Sequence, residues 1–474
     1  MTVTKTTNIH QIDGTEEQIK AINGLSQEFD VTTERLRTIT DQFVKEMRRG
    51  LDHDGATVAM IPSYVSGRPT GDEVGRYLAL DLGGTNLRVC EFDLKGKGDC
   101  SVKQQKFVIS DELKTGDMRD LCDYIADSVD TFLTEHCSKP GPNEEMLQLG
   151  YTFSFPVLQT AINRGVLKQW TKGFSSTNAV GKDVALLLQE SFKKRYLPVN
   201  VAAIVNDTVG TLMAYAYCYP ETAMGVILGT GTNASYYEKT ANIKKWSEQE
   251  NPAGTDEMVV NMEWGAFDCE RQVLPLTMYD NKVNRQSRNL HQQLFEKMIS
   301  GMYLGEIVRH AMINLIDQYL LFNGESSPIL NKQWGFETAY LTAIEKDKTE
   351  NLDETKEILE ETIGIPSTTL ADRQMVKKMG EFVGRRAARL SACGMGGVMM
   401  QDDKIGQECI IAIDGSLFEF YPNFEGLLRE ALGELFGEEA ANKVRFALAR
   451  DGSGLGAAII AMMAHKQQQQ QQQQ

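Results

Sequence analysis

The chain has few residues of the kinds that mark metal-binding, disulfide-rich or secreted proteins. Among its 474 residues are 12 prolines, 6 histidines and 8 cysteines. The cysteines are scattered without a C-x-x-C pair, and the histidines form no H-E-x-x-H motif, so we expect reduced cysteines and no structural metal. A long chain of this kind is typical of the cytosol. We therefore expect a cytoplasmic protein with a hydrophobic core rather than a cross-linked one.

Positive charge is also scarce. Lys plus Arg is 49 against 65 for Asp plus Glu, a net charge of −16. This balance argues against nucleic acid or an anionic membrane as the main partner. No apolar run approaches the length of a membrane span, and the first ten residues lack the apolar core of a signal peptide. A nucleotide site would need local positive potential and the help of a metal ion.

Several common active-site motifs are missing. No G-x-x-x-x-G-K-[ST] loop is present, because Val180-Gly-Lys-Asp183 lacks the upstream glycine and ends in Asp. No G-x-S-x-G elbow occurs. Gly229-x-Gly231-x-x-Ala234 fits a loose dinucleotide pattern, but the following Ser235-Tyr236-Tyr237 predicts a strand where that fold needs a helix. These absences set aside the Walker loop, the hydrolase elbow and the dinucleotide fold.

The stretch from Leu78 to Val89 predicts a strand, a tight glycine turn and a second strand. Leu78, Leu80 and Leu82 alternate with Ala79 and an aspartate, as expected of a strand. Glycines in the turn expose backbone N–H groups, and short polar side chains add donors, so the turn suits phosphate oxygens and a hydrated cation. The residues concerned are Asp81, Gly83, Gly84, Thr85 and Asn86. An ordinary hairpin with a Gly-Gly turn is the alternative.

Three later stretches have a similar character. Gly225 to Tyr237 repeats the plan of strand, glycine-rich turn and strand, so we expect a duplicated domain plan in which both turns face one cleft. Ile410 to Ser416 is a third strand that ends in a turn. Asp451 to Ala458 leads into a helix of small residues, whose N-terminus suits an anionic ligand. Close packing through small residues is the alternative for this helix.

Acidic residues in several apolar segments are candidates for chemistry. Val201 to Asn206 predicts a strand, and Asp207 follows it directly, at a partly desolvated position that suits a general base. A helix cap is the alternative. Glu263 and Glu296 lie between apolar neighbours, where a buried carboxylate needs partners. Sugar hydroxyls could donate hydrogen bonds to it, or a basic side chain could form a salt bridge with it. Trp170-Thr-Lys-Gly-Phe174 offers a hydroxyl and an ammonium that suit a polyol or phosphate, or forms a surface loop.

Length, helical periodicity and composition indicate how the chain is divided into segments. Its length predicts two or more domains. Amphipathic helices are predicted over 34–51, 117–135, 183–196 and 302–322. A segment with prolines and glycines near 64–76 indicates a domain boundary. The chain ends in glutamines over 467–474, a low-complexity tail that we expect to be disordered.

Seven of these segments occur in an order that closely resembles the eukaryotic hexokinase family. They are Leu80-Asp-Leu-Gly-Gly-Thr-Asn-Leu-Arg-Val89, Phe153-Ser-Phe-Pro156, Trp170-Thr-Lys-Gly-Phe174, Asn206-Asp-Thr208, Gly229-Thr-Gly-Thr-Asn233, Glu263-Trp-Gly-Ala-Phe-Asp268 and Asp451-Gly-Ser-Gly454. The likeness extends from about residue 30 to residue 464. It looks most like the fungal glucokinase branch of the family.

The resemblance implies an α/β fold of the actin-like, ribonuclease H-like ATPase class, with two domains flanking a deep cleft. It assigns 64–209 to a small domain, on which a C-terminal helix at 453–466 packs. It assigns 210–452 to a large domain, together with an N-terminal helical segment at 15–63. The implied reaction is transfer of a phosphoryl group from MgATP to the 6-hydroxyl of glucose, the first step of glycolysis.

The resemblance also implies roles for the residues that match its motifs. Asp207 would be the catalytic base, with Lys172 as a second catalytic residue. The sugar would be held by Ser154, Phe155, Thr171, Lys172, Asn206, Asp207, Asn233, Glu263 and Glu296. ATP would be bound by Asp81, Gly83, Gly84, Thr85, Asn86, Arg88, Gly229, Thr230, Gly231, Thr338, Ser416 and Ser453. Mg²⁺ would be carried by ATP without a direct protein ligand, and Asp81 would reach it through water.

Departures from the family's pattern lie beside the sugar contacts. Ala234 and Ser235 follow Asn233 where Gly and then Ala or Cys are common, and Cys269 stands where Asn is common. The hexose preference is therefore open: glucose is expected, mannose is a second candidate, and a broader hexokinase that also accepts fructose is the alternative. A sugar sensor without catalysis is a rival function, as is a glycosidase with Glu263 and Glu296 as its carboxylate pair. The oligomeric state, including self-association, is left open.

Overall fold

Strands and helices follow one another along the described chain. The computed structural model describes residues 12–83, 86–136, 145–170, 173–246, 255–450 and 452–472, with side chains of the last helix described as far as residue 469. The strands are β1 Ile61–Ser66, β2 Val74–Leu82, β3 Asn86–Gly96, β4 Asp99–Val108, β5 Leu147–Phe153, β6 Val157–Ala161, β7 Arg164–Leu167, β8 Val199–Val205, β9 Thr222–Leu228, β10 Thr232–Lys239, β11 Glu257–Asn261, β12 Cys409–Asp414 and β13 Val444–Leu448.

The helices surround these strands. They are α1 Glu16–Phe29, α2 Thr33–Asp52, α3 Asp111–Thr115, α4 Met118–His136, α5 Val184–Lys194, α6 Asp207–Cys218, α7 Met278–Gln286, α8 Leu294–Ile299, α9 Gly301–Asp317, α10 Pro328–Asn331, α11 Thr338–Lys346, α12 Asp353–Glu357, α13 Leu370–Gln401, α14 Ser416–Phe420, α15 Phe424–Phe436, α16 Glu438–Asn442 and α17 Gly452–Gln472. Within the ranges just given, no helix combines the length and apolarity needed to cross a bilayer.

Two sheets with the same internal plan form the framework. The five-stranded sheet has the order β4-β3-β2-β5-β8, and the six-stranded sheet has the order β1-β11-β10-β9-β12-β13. In each sheet three antiparallel strands, β2 to β4 or β9 to β11, are continued by two parallel strands. The duplicated plan is thus present in the topology, with β1 added at the edge of the six-stranded sheet. The two glycine turns occupy the same place in each plan, between β2 and β3 and between β9 and β10.

The two faces of the five-stranded sheet differ in what covers them. Leu78, Leu80 and Leu82 are fully buried in a cluster with residues of α4 and α5. Ala79 lies on the opposite face, in a cluster with residues of α6 and α17. Because side chains alternate along a strand, Asp81 points to the same face as Ala79. The alternation that the sequence shows in this strand is confirmed, and it places the aspartate on the face covered by α6 and α17.

The helices α6 and α17 approach each other so closely that glycine is required. A Cβ atom on Gly456 would lie 1.9 Å from the carbonyl oxygen of Gly210, and a Cβ atom on Gly150 would lie 2.1 Å from that of Ala457. Both obstacles are backbone atoms, which cannot rotate away. The small residues after Gly452 therefore serve close packing, the alternative that the sequence left open for this helix.

Replacing Gly456 by alanine should destabilise the fold. The added methyl group would collide with backbone, and overpacking of this kind typically costs about 1–3 kcal/mol, occasionally more. Urea denaturation should show a lower midpoint for Gly456→Ala. The matched control is Gly24→Ala in the middle of α1, where a Cβ atom would meet nothing within 4 Å. That change should leave the midpoint unchanged or raise it, since alanine favours a helix by about 1 kcal/mol over glycine. Equal midpoints for both variants would contradict the packing argument.

The predicted helices are found, with differences at their ends. The helix predicted over 302–322 ends at Asp317, because Tyr319 adopts a left-handed conformation with φ 60° and the N–H of Leu320 donates to Leu315. This is a Schellman-type stop made without glycine, so the sequence carries no signal for it. The last helix continues through Gln472 into the tail that was expected to be disordered. Glutamine is a good helix former, and no glycine or proline interrupts the helix after Gly456.

Candidate active site

The candidate catalytic base lies at the start of a helix. β8 ends at Val205, and Asn206 caps α6 by accepting a hydrogen bond from the N–H of Thr208 at 2.9 Å. Asp207 is the first residue of α6, and its Oδ1 also accepts from Thr208 N at 2.9 Å. A helix N-terminus stabilises a carboxylate through the helix dipole. The capping alternative therefore applies to Asn206, and Asp207 is half-exposed at the mouth of the strand.

A cluster of two amides and a carboxylate forms the other side of the site. Asn233 Nδ2 donates to Asn261 Oδ1 at 2.8 Å and to Glu263 Oε1 at 3.2 Å, and Asn261 Nδ2 donates to Glu263 Oε1 at 2.9 Å. These bonds hold the carboxylate in one orientation. Glu263 also has a left-handed backbone with φ 51°. Strain of this kind in a residue other than glycine is concentrated at functional sites.

A cavity between the two sheets brings these two sides together. It is lined by Phe155, Asn206, Glu263, Asn261, Gln159, Ile61, Phe153, Val157, Ile204 and Val205. Three predicted sugar contacts, Phe155, Asn206 and Glu263, therefore share one cavity. Ser154 is half-exposed between two of the lining phenylalanines. Asn261 and Gln159 were not predicted. Gln159 donates to the carbonyl of Ser63 at 3.0 Å, and so joins the two sides of the cavity.

Aromatic residues anchor the chain on both sides of the predicted Thr-Lys motif. Trp170 stacks on Phe174 with ring centroids 5.3 Å apart and meets Phe155 edge-on at 4.9 Å. The Trp170 indole donates to the carbonyl of Ser176 at 2.9 Å. These contacts place the flanks of the motif beside a residue that lines the cavity. Thr171 and Lys172 themselves lie outside the described residues, and their roles stay predictions.

Glu296 meets the second glycine turn. Its Oε2 accepts from the N–H of Thr232 at 3.0 Å, and a Cβ atom on Gly231 would lie 2.9 Å from the same oxygen. The next residue, Lys297, is buried and donates to Asn284 Oδ1 at 3.0 Å and to the carbonyl of Asn289 at 2.8 Å. Burial lowers the pKa of Lys297 to about 8. The short helix α8 is thereby fixed against its surroundings, and Glu296 with it.

The first glycine turn carries an ion pair. Asp81 and Arg88 lie directly opposite each other on β2 and β3, and Arg88 Nη2 is 3.1 Å from Asp81 Oδ2. Gly83 N–H donates to the carbonyl of Asn86 at 3.0 Å across the turn. Gly84 and Thr85 lie outside the described residues. Both residues were predicted at the nucleotide site, and the structure pairs them, so that the guanidinium of Arg88 balances the charge of Asp81.

The other predicted nucleotide contacts fall into two groups. In the first group, two N–H groups at the start of α9 donate to carbonyl oxygens of the second glycine turn. Gly301 donates to Gly229 at 2.7 Å, and Met302 donates to Thr230 at 3.2 Å. Ser416 begins α14, next to Gly229. Thr338 begins α11, and its hydroxyl accepts from the N–H of Gly305 in α9 at 2.8 Å. Gly229, Thr230 and Ser416 therefore lie together at the second glycine turn, and Thr338 contacts the same helix α9 further along.

Ser453 belongs to the second group, on the five-stranded sheet. It is 8% exposed at the start of α17, and its carbonyl accepts from the hydroxyl of Thr152 at 3.4 Å. Its neighbours Gly452 and Gly454 line a pocket of about 590 Å³ together with Asp81 and Arg88. Two of the predicted contacts, Asp81 and Arg88, therefore share one pocket with the glycines on either side of Ser453.

Comparison with known proteins identifies the family. Two family models, both described as Hexokinase, match residues 21–217 and 223–463. The chain belongs to the hexokinase family. It is 41% identical to the glucokinase of Aspergillus niger over 93% of this chain and 96% of that protein. It is 39% identical to hexokinase-2 of Saccharomyces cerevisiae, over 96% of this chain and 94% of the relative.

Solved structures agree with this assignment. The hexokinase of Schistosoma mansoni, solved in complex with glucose, superposes with a TM-score of 0.83 at 35% identity, and the match covers 94% of this chain and 99% of that one. A second crystal structure of a hexokinase gives a TM-score of 0.81 at 30% identity, with 95% and 100% covered. The prediction of an actin-like α/β fold with two domains flanking a cleft is confirmed, and the chain is a hexose kinase.

Proposed function

We propose that this hexokinase phosphorylates glucose at its 6-hydroxyl with ATP as donor, and that Asp207 takes the hydroxyl proton. The observation that carries this proposal is the cavity between the sheets. On one side it has Asn206 with Asp207 next in the chain, and on the other it has Glu263 within its amide cluster. The cavity measures about 10 Å³, room for about one water molecule. The two sheets would therefore move apart to admit a polyol, which Glu263 would hold with one hydroxyl toward the strand mouth where Asp207 lies.

The sugar side is built for hydroxyl groups. A carboxylate accepts hydrogen bonds from hydroxyls, and an amide can both donate and accept. Asn233 and Asn261 fix Glu263 in place, so less entropy is lost when a sugar binds. Glu296 would contribute a second carboxylate, and Ser154, Thr171 and Lys172 would complete the set on the other side. Glucose is the proposed substrate, with mannose as a second one, because Ala234 and Ser235 leave the finer preference to experiment.

Phosphoryl transfer needs alignment, neutralised charge and exclusion of water rather than covalent help. Arg88, paired with Asp81, would lie beside the phosphates at the first glycine turn, and backbone N–H groups of both turns would meet phosphate oxygens. Residues Thr338, Ser416 and Ser453 would lie along the nucleotide. Asp207, at the start of α6, would accept the sugar proton and need not move far, since its helix is packed through backbone contacts.

The residues present fit a magnesium ion that arrives with ATP. The described part of the chain holds no group of three or more His, Cys, Asp or Glu side chains arranged around a metal. Mg²⁺ keeps several of its waters and binds to one or two carboxylates together with substrate phosphates. Asp81, a single carboxylate beside the phosphate turn, has the oxygen chemistry for this contact. When bound, the ion supplies neutralisation of phosphate charge.

We also propose the division into a small domain at 64–209 and a large domain at 210–452. The five-stranded sheet and its helices support the first. Because β1 pairs with β11 of the six-stranded sheet, we propose that the boundary follows Ser66 rather than residue 64. Gly150 against Ala457 supports packing of the C-terminal helix on the small domain. In α2, Phe43 packs on Phe267 with ring centroids 4.7 Å apart, which supports adding the N-terminal helices to the large domain.

We propose a cytosolic location from the reduced cysteines.

A coupled assay tests the proposed function. Purified protein with glucose and MgATP should release ADP and form glucose 6-phosphate in equal amounts. Comparison of kcat/KM for glucose, mannose and fructose then separates a glucokinase from a broad hexokinase, and we expect glucose to be preferred. Glucose binding without ADP release would support the sugar sensor instead.

The glycosidase alternative is disfavoured by the position of Glu296. Its carboxylate is engaged by the N–H of Thr232 at the second glycine turn, so one of the two carboxylates serves a nucleotide-type turn. Hydrolysis of a glycoside in the absence of ATP would be needed to restore that alternative.

A further inference from the structure

Thr232 occupies the junction between the second glycine turn and the sugar cluster. It is the first residue of β10, directly after Gly231 and directly before Asn233. The turn itself is closed by a hydrogen bond of 3.0 Å from Gly229 N–H to the carbonyl of Gly231. Thr232 is 6% exposed, so its polar atoms depend on protein partners.

Both sugar carboxylates are connected to this residue. The backbone N–H of Thr232 donates to Glu296 Oε2 at 3.0 Å. Its hydroxyl oxygen accepts from the indole Nε1 of Trp264 at 3.0 Å, and Trp264 directly follows Glu263 in the chain. Thr232 is thus hydrogen-bonded to Glu296 itself and to Trp264, the residue that follows Glu263.

The indole that reaches Thr232 is held firmly. Trp264 is fully buried, with Phe43 edge-on at 6.1 Å and Phe295 edge-on at 5.9 Å. A Cβ atom on Gly394 would lie only 2.9 Å from its ring. Because the ring is enclosed, its N–H cannot turn to another acceptor, and a buried donor without a partner is costly. The hydroxyl of Thr232 is therefore the partner on which this part of the site depends.

We propose that Thr232 is a positioning residue that couples sugar binding to nucleotide binding. The inference rests on the proposed function, in which Glu263 and Glu296 hold the sugar and the turn at 229–231 meets phosphate. A sugar that binds both carboxylates restrains Glu296 and the segment of Trp264. Their bonds to Thr232 restrain the turn that precedes it. By linkage, nucleotide on the turn then strengthens sugar binding by the same factor as sugar strengthens nucleotide binding.

The test compares Thr232→Val with Thr232→Ser. Valine keeps the shape and strand preference of threonine but removes the acceptor for Trp264, whereas serine keeps the hydroxyl. The affinity for glucose is measured by calorimetry with and without a non-hydrolysable ATP analogue and Mg²⁺, and KM for ATP is measured at saturating glucose. For Thr232→Val we expect the coupling factor to fall about fivefold and KM for ATP to rise about as much, the value of one hydrogen bond. Glucose affinity without nucleotide should change less than twofold.

The serine variant should retain the coupling of the natural protein. A second route to the same loss is Trp264→Phe, which removes the donor and keeps an aromatic ring. If Thr232→Val does not fold, Trp264→Phe carries the test. If both fold, the double variant should show no more loss of coupling than either single variant, since both remove one bond. A coupling factor in Thr232→Val or Trp264→Phe equal to that of the natural protein would overturn the proposal. So would an equal loss of glucose affinity with and without nucleotide, which indicates a structural role only.

These outcomes are separate from those of the proposed function. If the natural protein forms no glucose 6-phosphate, the proposed function fails, whatever the variants do. If the natural protein is active and its sugar and nucleotide affinities are uncoupled, the role of Thr232 fails and the function stands.

Discussion

Asp207→Asn should lower kcat for glucose phosphorylation by about 10²- to 10⁴-fold, the usual contribution of a positioned general base. Asparagine keeps the size of the side chain and is well tolerated at the start of a helix. It cannot take a proton at neutral pH. In the proposed function sugar binding relies on Glu263 and its amide partners, so the dissociation constant for glucose should change far less. The measurements are kcat from a coupled assay and glucose affinity from calorimetry.

The matched control for this variant is Asp120→Asn. Asp120 lies exposed in the first turn of α4, an equivalent place in a helix away from the cavity. Its replacement should leave kcat within a factor of two. If Asp207→Asn retained kcat within threefold of the natural protein, Asp207 would not be the base.

Glu263→Gln should raise KM for glucose by about 10- to 100-fold, the range for losing a hydrogen bond to a charged group. The glutamine oxygen can still accept from Asn233 and Asn261, which now approach the carboxylate at 3.2 and 2.9 Å. Its other terminal atom becomes an NH₂ group, which donates where a sugar hydroxyl also needs to donate. KM for ATP at saturating glucose should rise by no more than about fivefold, the share of coupling that passes through Trp264 and Thr232.

Glu270→Gln serves as the control for this second variant. Glu270 is exposed seven residues downstream, so the same chemical change there should not affect KM for either substrate. An unchanged KM for glucose in Glu263→Gln would remove Glu263 from sugar recognition. A parallel rise in KM for ATP would indicate a general disturbance of the site.

The sequence predicted the parts of the site that are written in local patterns. The turn after Leu82 was predicted from glycines that follow an alternating strand. The strand before Asp207 was predicted from a short apolar run, and both are found. The sequence left Asp207 open as either a base or a cap of α6, because an aspartate after a strand is also a good helix cap. The structure gives the cap to Asn206 and leaves the carboxylate of Asp207 at the strand mouth.

Asn261, Thr232 and Gln159, which act through distant partners, were missed. Asn261 meets the predicted Asn233 from 28 residues away, and Thr232 meets the predicted Glu296 from 64 residues away. Their contacts exist because β10 pairs with β11 and α8 lies beside the turn, neither of which follows from local periodicity. Gln159 similarly acts through a carbonyl in a different sheet. Alternation predicts which face a residue occupies, but not which residue it meets there.

The helix that begins with Asp207, α6, packs directly through its backbone against glycines of both β9 and α17. A Cβ atom on Gly225 of β9 would lie 2.5 Å from the carbonyl oxygen of Thr208, and one on Gly456 would lie 1.9 Å from that of Gly210. A library of random variants selected for growth on glucose should thus be depleted at Gly225 and Gly456 about as strongly as at residues that touch the sugar. Positions that tolerate no substitution would then include these closely packed glycines, which lie outside the cavity. A binding site inferred from such positions alone would be larger than the true one.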